Sequence, residues 1–176
     1  EHCSKNVLKC MGRPNINVYE RIKKRFYEIT ESIGKKQFLV PYLMSSHPGS
    51  TINDAIELAQ FLKKEGMHPE QVQDFYPTPG TVSTCMFYTG LDPFTMEKVY
   101  VPRSPEEKAE QRALLQYFKP ENRKVVTLAL KKAGRYDLIG NRKGCLVPDD
   151  RKSGANQTAP QKKKKKTIRN IHKKKK

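Results

Sequence analysis

The chain has 176 residues, 36% hydrophobic and 30% charged, and its 35 lysines and arginines against 18 aspartates and glutamates give a formal net charge of +17. That length accommodates one domain or part of one. No apolar run approaches the roughly 18 to 20 residues of a membrane-spanning helix, the best being Phe38 to Met44, so a transmembrane protein is excluded.

The charge is uneven. Residues 151 to 176 hold 12 basic side chains and no acidic one, which leaves 23 basic and 18 acidic residues in positions 1 to 150. A mildly basic body therefore carries a strongly basic tail. The sequence begins on Glu1 and lacks the apolar core and cleavage site of a signal peptide, which points to a chain cut from something longer. Four widely spaced cysteines, Cys3, Cys10, Cys85 and Cys145, with no C-x-x-C among them, suit a reducing cytoplasm.

In chain order, a helix is predicted from Ser4 to Met11, closed by Gly12-Arg13-Pro14. A second runs from about Val18 to Ile33, where Val18, Ile22, Phe26, Ile29 and Ile33 recur at helical spacing and Gly34 suits the C-terminal cap. Gln37 to Ser45 is short and apolar and reads as a buried strand ending in the loop Ser46-His47-Pro48-Gly49. A third helix, about Asn53 to Glu65, presents Ile56, Ala59 and Leu62 on one side. A short strand, Gln71 to Tyr76, follows and breaks at Pro77-Thr78-Pro79-Gly80. This alternation implies a parallel sheet with helices outside it.

After Gly90-Leu91-Asp92-Pro93 the pattern becomes helical. Ser104-Pro105-Glu106-Glu107 places a hydroxyl at the cap and proline at the first helical position of a helix to about Tyr117. Another is predicted from about Glu121 to Ala133. Beyond Pro148 almost nothing is apolar, and composition predicts a disordered tail. Its lysine runs, Lys162 to Lys176 above all, suit nonspecific binding of RNA or another polyanion, without interleaved aromatics to stack bases.

Cysteine and histidine show no close ligand pairs, so no self-contained metal site is expected. There is no G-x-S-x-G of a serine hydrolase. The informative features are two loops at the C-terminal ends of the predicted strands, Ser45 to Thr51 and Tyr76 to Thr81, because that edge carries the site in β/α architectures.

The residues of these loops bear a resemblance. Glu1 to Arg13 (E-H-C-S-K-N-V-L-K-C-M-G-R) resembles the Q-S-x-S-x-x-V-L-x-x-M-x-R segment of radical S-adenosylmethionine (SAM) enzymes. Met44 to Thr51 resembles their I-x-G-F-P-G-E-T strand and loop, and Phe75 to Thr81 their F-x-x-x-P-G-T loop. The wording is similar to the YgiQ-type subgroup. The resemblance implies an α/β fold: the C-terminal half of a radical SAM (β/α) partial barrel in residues 1–100, a helical extension in 101–148, and the Lys-rich tail in 149–176. It also implies that the whole enzyme uses a [4Fe-4S] cluster to cleave SAM reductively to a 5′-deoxyadenosyl radical that attacks a substrate these residues do not name.

The C-x-x-x-C-x-x-C motif that holds the cluster is not in this chain, so the N-terminal half of the same protein is the implied partner and supplies the cluster ligands. His2, Ser4, Arg13, Ser46, His47 and Tyr76 match the cofactor-contacting segments and are the candidate SAM contacts. Arg13 would suit the SAM carboxylate. Ser46 and His47 depart from the Gly-Phe of many relatives, and Ser50 from their Glu. The alternative reading is a noncatalytic nucleic-acid-binding module built around the basic tail.

Overall fold

A computed structural model describes residues 1–149. The disorder and the polyanion binding expected of the tail both fall on residues outside those described. Helix α1 (Lys5–Cys10) and α2 (Ile16–Ser32) come first, followed by strand β1 (Met44–Ser45), α3 (Ile52–Lys64), β2 (Gln73–Asp74), α4 (Val82–Thr89), α5 (Pro105–Leu115) and α6 (Arg123–Lys132). Single turns of tighter helix occupy Pro120–Asn122 and Tyr136–Leu138. Among the described residues no helix is long and apolar enough to cross a membrane.

Local chemistry sets the helix starts. Asn15 accepts from the Asn17 amide at the head of α2, and Thr51 with Asp54 forms a reciprocal capping box at the head of α3. Ser104 precedes Pro105 as the sequence predicts, yet its hydroxyl makes no cap hydrogen bond; the fixed φ of Pro105 and the acidic first turn start α5 instead. Helix α4 is not foreseen by the sequence pattern, since Val-Ser-Thr-Cys-Met-Phe-Tyr-Thr is rich in strand formers. The Thr81 hydroxyl, accepting from the Thr84 amide, and left-handed Gly90 close its two ends.

The two strands pair in parallel, Met44 with Gln73 and Ser45 with Asp74, as the strand–helix–strand pattern implies. The expected strand from Gln37 to Ser45 is much shorter than predicted and not buried along its length. Phe38 is 78% and Val40 87% exposed, and Tyr42 is exposed as well. The carbonyls of Leu43 and Ser45 face β2, accepting from Gln73 and Phe75, while the Met44 amide points the other way and donates to the Glu1 carbonyl at 3.2 Å. Glu1 thus occupies a third strand position beside β1. An open groove of about 930 Å³ flanks residues 39–43 and 67–73, at the N-terminal end of the strands.

The apolar stripe of α2 is only partly covered: Val18 and Phe26 are half-buried, Ile22, Ile29 and Ile33 are exposed, and Thr30 is the one buried residue of that helix. Helix α3 behaves differently. Its Ile56, Ala59 and Leu62 are buried as the sequence predicts, and it packs chiefly against α5. One core joins Ala55, Ile56 and Ala59 to Ala113, Leu114 and Tyr117, to Val126, Ala129 and Leu130, and to Leu138, Leu146 and Val147. The apolar faces before residue 100 and after it are therefore buried against each other, and the elements beyond residue 100 fix the loops at the C-terminal ends of the strands.

Candidate functional site

The loop after β1 is held from every side. Ser46 has φ +61°, a left-handed conformation that a residue with a Cβ adopts at a cost of about 1–2 kcal/mol. Its amide donates to Gln111 Oε1 at 3.1 Å, yet its buried Oγ has no hydrogen-bond partner among the described residues. The Ser50 amide returns to the His47 carbonyl at 2.9 Å, and the Gly49 amide donates to the Tyr100 carbonyl at 2.6 Å. Gly49 has φ +91°, and a Cβ there would stand 2.7 Å from Cys10 Sγ. Glycine is required for both reasons.

His47 is buried in this loop. Nδ1 lies 2.7 Å from the Pro48 carbonyl, which only accepts, so Nδ1 carries the proton and Nε2 accepts from Ser83 Oγ at 2.8 Å. Burial pushes the ring pKa down, favouring the neutral form. Phe75, just past β2, meets the ring edge-on with centroids 5.0 Å apart. Tyr76 follows but is 78% exposed at the rim.

His2 and Ser4 enter from the third strand position. The Ser4 amide donates to His2 Nδ1 at 3.0 Å, which leaves the His2 proton on Nε2. Ser4 Oγ donates to Asp54 Oδ1 at 2.5 Å, and Asp54 Oδ2 accepts from the Thr51 amide at 2.9 Å and hydroxyl at 2.5 Å. Asp54 thereby ties the head of α1 to the β1 loop. Arg13 is turned to other work: its guanidinium makes a bidentate pair with Glu1, at 2.7 and 2.9 Å, on the exposed side. This pairing holds the Glu1 carboxyl below its ordinary range. A ligand carboxylate at Arg13 would have to displace Glu1.

The structure thus brings Ser46 and His47 together in one loop and links Ser4 to that loop through Asp54, with His2 beside Ser4. It leaves Tyr76 at the rim and Arg13 engaged with Glu1. Sequence reasoning missed Asp54, Ser83 and Gln111. The Thr-x-x-Asp spacing of the capping box could have found Asp54; nothing local marks the other two. Cys3 is buried and its thiol is pushed up to about 12 by that burial, so it stays protonated. Among the described residues, no group of three or more His, Cys, Asp or Glu side chains is placed to hold a metal ion.

Burial pulls the His2 pKa from 6.5 down to about 4. Between those values the unfolded chain takes up a proton that the folded chain refuses, so stability is present above pH 6.5 and falls as the pH drops toward 4. The full loss is about 3 kcal/mol, at about 1.4 kcal/mol per unit. The thermal midpoint of His2→Gln should change less between pH 7 and pH 5 than that of the wild type. Equal pH dependence would mean that His2 does not titrate from a buried site.

Residues 70–176 match the family described as "Domain of unknown function (DUF3362)". A UPF0313 protein of Clostridium perfringens (strain 13 / Type A) is 61% identical over 154 residues, covering 88% of this chain and 23% of the relative. A UPF0313 protein of Clostridium botulinum (strain 657 / Type Ba4) is 60% identical over 148 residues, covering 84% and 23%. The chain spans about a quarter of the length of these curated relatives. No solved structure matches it. With the family match spanning residues 70–176 and relatives near 60% identity over most of its length, the chain belongs to the DUF3362 family and is related to the UPF0313 proteins.

Proposed function

We propose that this chain forms the C-terminal part of the barrel of a YgiQ-type radical SAM enzyme, working in a reducing cytoplasm, and that its β1 loop contacts SAM. The observation that carries this reading is the buried, unpartnered Oγ of Ser46 at the C-terminal end of a parallel strand. A buried hydroxyl without a partner costs about 1–3 kcal/mol, and a bound polar ligand removes that cost. The parallel pairing, the exposed Phe38 and Val40 ahead of β1 and the exposed Ile22, Ile29 and Ile33 agree with a partial barrel completed by the N-terminal part of the same protein.

Bound SAM, reduced from a [4Fe-4S] cluster held by residues outside this chain, would supply the hydrogen-abstracting radical. The residues in hand do the binding and shaping. Ser46 Oγ offers a hydrogen bond to a polar group of the ligand. His47, neutral and locked between Pro48 and Ser83, presents a fixed ring edge rather than a charge. Phe75 packs against that ring and helps exclude water. His2 and Ser4 hold the neighbouring strand position through Asp54.

Ser46→Gly in the whole, cluster-loaded protein separates the two roles of this residue. Removing the left-handed strain and the orphan hydroxyl should raise stability by about 1–3 kcal/mol. The same change should weaken SAM binding about fivefold, through one lost hydrogen bond of about 1 kcal/mol. Calorimetry measures the affinity and thermal unfolding the stability. Higher stability with unchanged affinity would remove Ser46 from the SAM site.

A further inference from the structure

Gln111 lies on α5, within the stretch matched to DUF3362, and its side chain is completely buried with 0% exposure. All four hydrogen-bonding positions of its amide are used. Oε1 accepts from the Ser46 amide at 3.1 Å and from Ser50 Oγ at 2.9 Å. Nε2 donates to the Ser50 carbonyl at 2.9 Å and to Glu107 Oε1 at 3.3 Å. Reversing the amide would set its NH₂ against the Ser46 amide, so this orientation is the only one that satisfies the loop.

The same segment grips the loop a second way. Glu107 Oε1 also accepts from the Tyr100 hydroxyl at 2.7 Å, and the Tyr100 carbonyl holds the Gly49 amide. The chain Gln111, Glu107, Tyr100 is therefore a closed bracket around Ser46, Gly49 and Ser50. Its neighbour Arg112 pairs with Asp74 at the end of β2, and Asp74 accepts from Ser45 Oγ. One turn of α5 thus fixes the C-terminal ends of both strands.

The consequence for Ser46 is specific. Gln111 takes the backbone donor of Ser46 and holds that residue left-handed, while the buried Ser46 Oγ has no hydrogen-bond partner among the described residues. We propose that Gln111 is a positioning residue that sets the ligand-binding conformation of the β1 loop, so that the DUF3362 helix α5 is a working part of the cofactor site rather than an appended module. The inference rests on the SAM reading for the identity of the ligand, and on the hydrogen bonds alone for the bracket.

The test uses the whole cluster-loaded protein with Gln111→Leu and Gln111→Glu, read by hydrogen exchange of residues 44–51 without ligand and by calorimetric SAM affinity. Gln111→Leu removes all four bonds. Exchange of the loop should accelerate at least about tenfold and SAM affinity should fall by about tenfold or more. Gln111→Glu restores three of the four bonds when protonated, having one donor in place of two, and its ionised form loses the donor altogether and faces Glu107. The burial of this position and Glu107 beside it would raise its carboxyl pKa. Its loop exchange, referred to wild type at the same pH, and its SAM affinity should lie closer to wild type at the acid end of the stable pH range and approach Gln111→Leu as the pH rises, a trend that a merely space-filling residue would not show.

Wild-type loop protection in Gln111→Leu overturns the bracket. A loosened loop with unchanged SAM affinity overturns the positioning role. Should Gln111→Leu not fold, the pH dependence of Gln111→Glu decides, and a pH-independent affinity and exchange in that variant count against the proposal. Absence of SAM binding by the wild type would fell the SAM reading, whereas loop exchange still decides whether Gln111 sets the conformation.

Discussion

Gly49→Val should destabilise the protein by about 3 kcal/mol or more, the largest effect expected of any single change in the β1 loop. Two independent causes add. At φ +91° a β-branched residue is held in backbone space it rarely adopts, and its Cβ would stand 2.7 Å from Cys10 Sγ and 3.2 Å from Cys10 Cβ. The loop cannot move aside cheaply, because the Gly49 amide is bound to the Tyr100 carbonyl at 2.6 Å and the adjoining Ser50 to Gln111. Thermal or denaturant unfolding measures the loss. Gly49→Ala with Cys10→Ala removes the 2.7 Å clash with Sγ while the 3.2 Å contact with the residue-10 Cβ and the conformational part remain, so the double variant falls between wild type and Gly49→Val. Wild-type stability in Gly49→Val would contradict the loop geometry.

Leu114→Ala should cost about 2–5 kcal/mol, the range for truncating a well-packed leucine. Leu114 is fully buried in the core that α3, α5 and α6 share. Its loss should therefore weaken α3 and the β1 loop together with α5 and α6. Hydrogen exchange followed by peptide should show accelerated exchange both at residues 52–64 and at residues 123–132. Acceleration confined to residues beyond 100 would mean that the two stretches are separate folding units, and would contradict the shared core.

Helices α2 and α3 were legible from their periodic apolar residues, and α5 from the proline and acidic first turn at its start. Helix α4 was not, because its side chains favour strands and only the Thr81 cap and the tertiary setting decide otherwise. The segment Gln37 to Ser45 is rich in strand formers but is interrupted by Pro41, which has no amide to donate, and β2 pairs only with Met44 and Ser45. The placement of Ser46 and His47 in a loop directly after a strand was legible in the sequence. The free Oγ of Ser46 was not, since it depends on Gln111, whose loop partners lie 61 and 65 residues away in sequence. Arg13 carried the chemistry of a carboxylate ligand, but its nearest carboxylate proved to be Glu1.

SAM binding by these loops in a radical enzyme, as proposed, is tested most directly by product formation. The whole protein, reconstituted with iron and sulfide under anaerobic conditions and reduced with dithionite, should convert SAM to 5′-deoxyadenosine, read by chromatography over hours. Formation of 5′-deoxyadenosine beyond the level of a reconstitution mixture without protein is the predicted result. A protein that takes up a stoichiometric cluster and yet neither binds SAM nor releases 5′-deoxyadenosine would contradict the account.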